Sequence, residues 1–264
     1  MANFVAAVKG AILSEVSNTV IVDISHEISP FKITECAYIV KHAYPSFPTG
    51  TIHIIGVDSE WSPENEHIIA VIDGHYFIGA NNGILSLIAP ESGPEEVWKI
   101  DLPDSATNSF PVKEVFVKVA CHLARGGRLE VVGTSFDQLK DLRDFEPRIS
   151  NGGATIVGNI IYIDRYGNVV TNIHKTLFEA YRNGRNFEII VRTATIRTIH
   201  HSYNGGINYN LDRKQRNGAG DLLALFNTTG YIELAIYKSD LDSVGSILTL
   251  LGLKHLDIIT INFI

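Results

Sequence analysis

The hydrophobic period changes once along the chain, and that change limits the architectures open to it. In the first half, helical and strand patterns alternate. Phe4, Val5, Val8, Ile12, Leu13 and Val16 recur at helical spacing, as do the apolar positions of Ile33–Tyr44, which stop near Pro45. Between them, VIVDIS (Val20–Ser25) is short and β-branched and predicts a buried strand. Thr51–Val57 predicts another. His67–Ala80 carries Asp73-Gly74 between two apolar runs, the two-residue pattern of a hairpin. VWKID adds a short strand, and Pro111–Gly127 reads as a helix with proline in its first turn and glycines at its end. This alternation implies an α/β N-terminal domain with a largely parallel sheet covered on both faces.

After FEPRISNGG (Phe145–Gly153), a polar joint containing Gly and Pro, strands dominate. TIVGNIIYID, GNVVTNI, FEIIVRTATIRTI, LLALFN and YIELAIY are rich in β-branched and aromatic residues, and Asn204-Gly205-Gly206 and Asn217-Gly218 punctuate them. The second half is therefore expected to be a smaller β-rich, barrel-like domain. The expected boundaries are 1–148 and 152–264. At 264 residues and 45% hydrophobic content, the chain suffices for two domains of ordinary size or one large core.

A net charge of −7 with no basic stripe argues against a nucleic-acid or anionic-membrane partner. No run reaches the ~18 apolar residues of a membrane span. MANFVAAVKGAIL has a lone Lys9 and no small-residue cleavage site, so it reads as a helix rather than a signal peptide. Cys36 and Cys121 form neither a CxxC pair nor a disulfide framework. Their apolar helical faces predict buried reduced thiols, which fits a cytoplasmic protein.

There is no P-loop, no GxGxxG after a strand, no GxSxG and no HExxH. His200 and His201 are adjacent within a strand pattern and point to opposite faces, so they cannot grip one metal together. His122 reads as a helix-surface residue beside apolar neighbours. His26, in DISHEISPF, reads equally as a pocket residue or a packing and capping one. Three segments stand out. In TIHIIGVDSEW an apolar strand ends on Asp58, followed at once by Glu60 and Trp61, and Asp58 reads equally as a turn acid or a site acid. Phe31 follows Pro30 at the start of a helix, a place where an aromatic is usually core. IDRYGNVVTNI (Ile163–Ile173) sets a Tyr-Gly-Asn turn between two strands. The Asn168 amide both donates and accepts, as an adenine edge requires.

Together with VKGAIL, FPTGTIHIIGVD, FIGANNGILSL and FNTTGYIELAI, these segments, in this order along nearly the whole chain, resemble the S-adenosylmethionine (SAM) hydroxide adenosyltransferase family, relatives of fluorinating and chlorinating enzymes. The resemblance implies an N-terminal α/β domain, a C-terminal β-rich domain, and a homotrimer with sites between one subunit's N-terminal domain and a neighbour's C-terminal domain. It implies a SAM hydrolase that forms adenosine and L-methionine with no cofactor and no metal. Asp58 matches the water-activating acid, Phe31 the aromatic near the reacting sugar, and Asn168 the asparagine that reads adenine. Tyr166 takes the place of the aromatic before it, and Asp164 is matched to the methionine amine. Thr228 stands where the family has a serine at the methionine end. Ile236, Tyr237 and Lys238 fall on the last adenine-binding segment.

The match departs from the family pattern in three places. The arginine expected seven residues after the acid falls on Asn65, with Glu60, Asn65 and His67 as possible stand-ins. In Phe110-Pro111-Val112-Lys113-Glu114 the family's histidine is replaced by Pro111. The opening strand ending in Thr-Asp-Phe-Gly has no counterpart, and a start assigned downstream of the true one is the expectation. Two alternatives follow: a SAM- or adenosine-binding trimer without turnover, and a SAM-dependent halogenase. Asp58 disfavours the halogenase, because a fixed carboxylate repels a halide by about 4 kcal/mol at ~4 Å for an effective dielectric near 20.

Overall fold

In the computed structural model, which describes residues 2–103, 108–142, 146–207, 209–212, 220–239 and 245–264, Asp73 and Gly74 both have positive φ, 49° and 72°. That is what a two-residue hairpin turn needs, and Asp and Gly tolerate it best. The hairpin lies at the centre of the first of two compact units, Met1–Arg143 and Asp144–Ile264.

The first unit contains helices α1 (Ala2–Glu15), α2 (Ile33–Ala43), α3 (Ile84–Ile88) and α4 (Val117–Ala124). Its strands are β1 (Ile52–Ile54), β2 (His67–Ile72), β3 (His75–Ala80), β4 (Glu96–Ile100) and β5 (Gly133–Ser135), in spatial order β1-β3-β2-β4-β5. All six residues of β2 are buried. Ile68, Ala70 and Ile72 pack with residues of α2 and α3, while Ile69 packs with residues of α4. The sheet is thus covered on both faces, which explains why β2 reads as a continuous apolar run.

Two expectations are corrected here. The sheet is not largely parallel: only β1 and β3 run parallel, and the other three pairings are antiparallel. The tight hairpin forces β2 against β3, and the chain then returns through β4 beside β2 and β5 beside β4. Nor is Val20–Ser25 a buried strand. It forms no ladder, and Val20 is 88% exposed. This segment and β1 line a common cavity. β1 is also only three residues long, against the seven of Thr51–Val57.

The second unit contains β6 (Arg148–Ser150), β7 (Thr155–Ile163), β8 (Val169–His174), β9 (Phe187–Val191), β10 (Ala194–Ile196), β11 (Ile199–His200), β12 (Leu222–Phe226), β13 (Tyr231–Ile236) and β14 (Ile258–Phe263), with α5 (Lys175–Arg182) and α6 (Ile247–Leu251). The order β10-β9-β14-β7-β8-β13-β12-β11, with β6 beside β7, gives a nearly closed, barrel-shaped sheet. Its core includes Ile156, Ile160, Ile173, Phe178, Leu234 and Ile261. FEIIVRTATIRTI is not one strand: it breaks at Arg192, whose φ is 52°, into β9 and β10. His200 ends β11, and His201 lies just past it. Asn217-Gly218 lies outside the described residues.

Cys36 and Cys121 are free and buried. Burial pushes the Cys36 thiol up to about 12 and raises that of Cys121. No helix among the described residues is long and apolar enough to cross a membrane.

Candidate active site

Beyond Ile54 the chain keeps one more bond to the sheet, from Ile55 N–H to the Ile78 carbonyl at 2.9 Å. It then leaves through Gly56, where a Cβ would meet Val112 Cγ2 at 3.1 Å. Two residues later comes Asp58, in the left-handed region at φ 48°. Asp58 and Phe31 line the same cavity, of about 820 Å³, together with His26, Ser29 and Asp23. The two N-terminal residues singled out in the sequence thus both border this cavity. Phe31 is not core: it is 75% exposed and has φ 61°. A bulky residue in that region is an outlier of the kind that clusters at ligand sites.

Asp23 accepts hydrogen bonds from Lys9 Nζ at 2.6 Å and His26 Nε2 at 3.0 Å. The Lys9 bond, helped by the one from His26, holds the Asp23 carboxyl below its usual range. All three residues line the cavity. The pairing of Lys9 with Asp23 was not legible in the sequence, because fourteen residues separate them and no spacing rule links a helix residue to an extended one.

The positions that depart from the family pattern have definite surroundings. Asn65 Oδ1 accepts from Lys140 Nζ at 3.1 Å. Pro111 is buried and leads into a π-helical turn, Val112–Phe116, before α4. Phe110 and Val112 line the cavity. Glu60 is exposed. His67 is buried on β2, and its Nε2–H donates to the Ser59 carbonyl at 3.0 Å. His122 Nε2 bonds the Arg128 carbonyl at 2.9 Å, a local structural contact.

In the second unit, the β7–β8 turn is built around Asp164. Its Oδ1 accepts from Tyr166 N–H at 2.8 Å and Asn168 N–H at 2.9 Å, and its Oδ2 accepts from Asn168 Nδ2 at 2.9 Å. Asn168 is buried, whereas Tyr166 stands in solvent. Lys238, at φ 51°, lies just past β13, with its Nζ 5.5 Å from the Tyr237 ring centroid. Ser239 Oγ donates to the Tyr166 carbonyl at 3.3 Å. Asp164, Tyr166, Asn168, Tyr237 and Lys238 thus share one end of the β8–β13 pair. Thr228 does not join them. It sits in the exposed turn before β13, beside the far end of β8, where Tyr231 opposes His174.

Glu233, which the sequence did not flag, is buried in β13. Its carboxyl is raised chiefly by burial and bonded by the Tyr203 hydroxyl. No periodic signal distinguishes it from an outward-facing strand acid. Among the described residues, no group of three or more His, Cys, Asp or Glu side chains is placed to hold a metal ion.

Residues 1–133 match the sequence model of the SAM hydroxide adenosyltransferase N-terminal domain, and residues 158–259 match that of its C-terminal domain. The chain belongs to the SAM hydroxide adenosyltransferase family. Among similar proteins, an (R)-S-adenosyl-L-methionine hydrolase from Methanocaldococcus jannaschii is 25% identical over 97% of this chain and 90% of its own length. A fluorinase from an Actinoplanes species is 26% identical over 66% of this chain and 68% of its own. The crystal structure of a conserved protein from Thermotoga maritima superposes with a TM-score of 0.79 at 25% identity, covering 98% of this chain and 95% of that one. Within this family frame, Asp58 and Phe31 fall in the matched N-terminal portion. Asp164, Tyr166, Asn168, Thr228, Tyr237 and Lys238 fall in the matched C-terminal portion.

Proposed function

We propose that this family member hydrolyses SAM, transferring its adenosyl group to water. A water oxygen attacks the 5′ carbon and forms the C–O bond. The C–S bond breaks with its electron pair going to sulfur, so L-methionine leaves as a neutral thioether. The proton released by the water passes to the Asp58 carboxylate, and adenosine is the second product. A sulfonium needs no acid to protonate it on departure, so the reading calls for no cofactor and no metal. What the site must supply is alignment and exclusion of bulk water. A base on the attacking water adds roughly 10²–10⁴-fold.

The observation that supports this reading is that Asp58 and Phe31 both line one cavity, in a chain similar along nearly its whole length to a SAM hydrolase. The C-terminal residues Asp164, Tyr166, Asn168, Tyr237 and Lys238 are proposed to bind substrate together, with Asn168 on the adenine edge, and Thr228, at the other end of β8, to meet it only at the methionine end. A homotrimer with sites shared between neighbours, and a cytoplasmic setting, belong to the same proposal. Incubating the protein with each sulfonium epimer of SAM and assaying adenosine and methionine tests it, since the similar Methanocaldococcus jannaschii enzyme is named for the (R) form. Release of both products in equal amounts is expected, and the absence of product from either epimer contradicts it.

A second reading is a nucleoside-binding protein without turnover. Pro111 and Asn65 favour it, since neither side chain can transfer a proton or carry a positive charge. It predicts that SAM or adenosine raises the melting temperature with no product formed.

A further inference from the structure

Asn82 and His67 grip the stretch of backbone on which Asp58 stands. Asn82 lies two residues past the end of β3 and is 3% exposed. Its Nδ2 donates to two successive carbonyls, Val57 at 3.1 Å and Asp58 at 3.0 Å. Its Oδ1 accepts from Ile84 N–H at 3.1 Å. That last bond fixes which way the amide faces, because a backbone N–H can only donate. The next carbonyl, Ser59, is taken from the adjacent strand by His67 Nε2–H at 3.0 Å. His67 is 1% exposed, and its ring meets Phe116 edge-on at 4.9 Å.

Three consecutive carbonyls, 57 to 59, are therefore held by two buried side chains. Both project from the same end of the β2–β3 ladder, where His67 pairs with Ala80. The residue between them, Asp58, sits at φ 48°, a left-handed conformation that aspartate tolerates. Among the described residues no group hydrogen-bonds the Asp58 carboxylate, so the grip acts on the main chain and leaves the side chain open to the cavity.

We propose that Asn82, supported by His67, is a positioning residue for Asp58: it fixes the direction in which the carboxylate leaves the backbone and thereby sets its geometry toward the attacking water. The proposal rests on the reading of Asp58 as the water-orienting acid. An asparagine suits the task because only an amide of this length supplies two donors and one acceptor at once. An aspartate would set carboxylate oxygen against two carbonyls.

The test compares Asn82→Ala, Asn82→Asp, His67→Ala and His67→Gln with the parent protein. For both Asn82 variants kcat should fall about 10- to 100-fold with KM changed less than about twofold, the signature of lost alignment rather than lost binding. In the Asp58→Asn background the same Asn82 changes should cost less than about twofold further, since they act through Asp58. His67→Gln, whose amide reaches where Nε2 does, should retain the rate that His67→Ala loses. Unchanged kcat in Asn82→Ala, or losses that multiply in the double variant, overturns the proposal. A readout independent of turnover is the NMR shift of the backbone carbonyl carbons. Those of Val57 and Asp58 should move in Asn82→Ala while those of β2 and β3 stay in place, and unaltered shifts also overturn it. If the parent protein releases nothing from SAM, the function reading fails, and the carbonyl shifts alone then decide whether the grip exists.

Discussion

The Asp164 carboxylate holds Asn168 twice, through its backbone N–H and through its side-chain amide, at 2.9 Å each. With the Tyr166 N–H as a third donor, one acid shapes the whole turn that carries the adenine-reading candidate. Asp164→Ala should therefore free the Asn168 amide and loosen the turn. Bonds to a charged acceptor contribute about 1.5–3 kcal/mol each, partly recovered from water, so a loss of roughly 1–3 kcal/mol is expected in a urea titration. Nucleoside affinity should fall with it. Unaltered stability would show that the turn holds its shape without the acid.

Phe31 combines exposure with positive φ, so little folding energy rests on its ring. Phe31→Ala should move stability by no more than about 0.5 kcal/mol while weakening SAM binding at least severalfold. Calorimetric titration alongside a thermal melt separates the two. A large stability loss would return Phe31 to an ordinary packing role.

Two buried histidines make stability depend on pH. Burial, together with the facing His75, pushes the His53 imidazole down to about 4, and burial also lowers His67. His53 Nε2 lies 3.2 Å from His75 Nδ1, and Tyr44, bonded to Asp73 at 2.6 Å, packs edge-on against both rings. Both histidines start from a value of 6.5. Below that pH the unfolded chain takes up protons that the folded chain refuses. Their contribution is present above about pH 6.5 and is lost as pH falls below it, for His53 down to about 4, by at most about 1.4 kcal/mol per pH unit for each ring. Melting temperatures should be level between pH 7 and 8 and drop through that window. His53→Gln should flatten the drop, and a pH-independent melt contradicts the assignment.

Local chemistry wrote most of the fold into the sequence. The Asp73-Gly74 hairpin, α1, α2 and the β7–β8 pair lie where periodicity and turn residues place them. The sheet's direction was not legible, because helix–strand alternation suggests crossovers, whereas here a hairpin and short returns set the order. Val20–Ser25 has the composition of a strand, but a strand also needs a partner edge, which composition does not encode. α5 and β14 were not legible because, at eight and six residues, each is too short for its period to stand out from the strands around it. Of the site, Asp58 and Asn168 were visible through the resemblance. The Asn82 grip was not, because an amide reaching carbonyls 24 and 25 residues away is a tertiary contact. The Asn-Asn-Gly of FIGANNGILSL, a polar knot between apolar runs, was its only trace.

Transfer of the adenosyl group to water through Asp58 is tested most directly by single-turnover hydrolysis in ¹⁸O-water, run with the parent protein and with Asp58→Asn. The parent should release methionine together with adenosine carrying ¹⁸O at its 5′ hydroxyl. Asp58→Asn should still bind SAM but turn over about 10²–10⁴-fold more slowly. Adenosine without the label, or an Asp58→Asn variant as fast as the parent, would contradict the account.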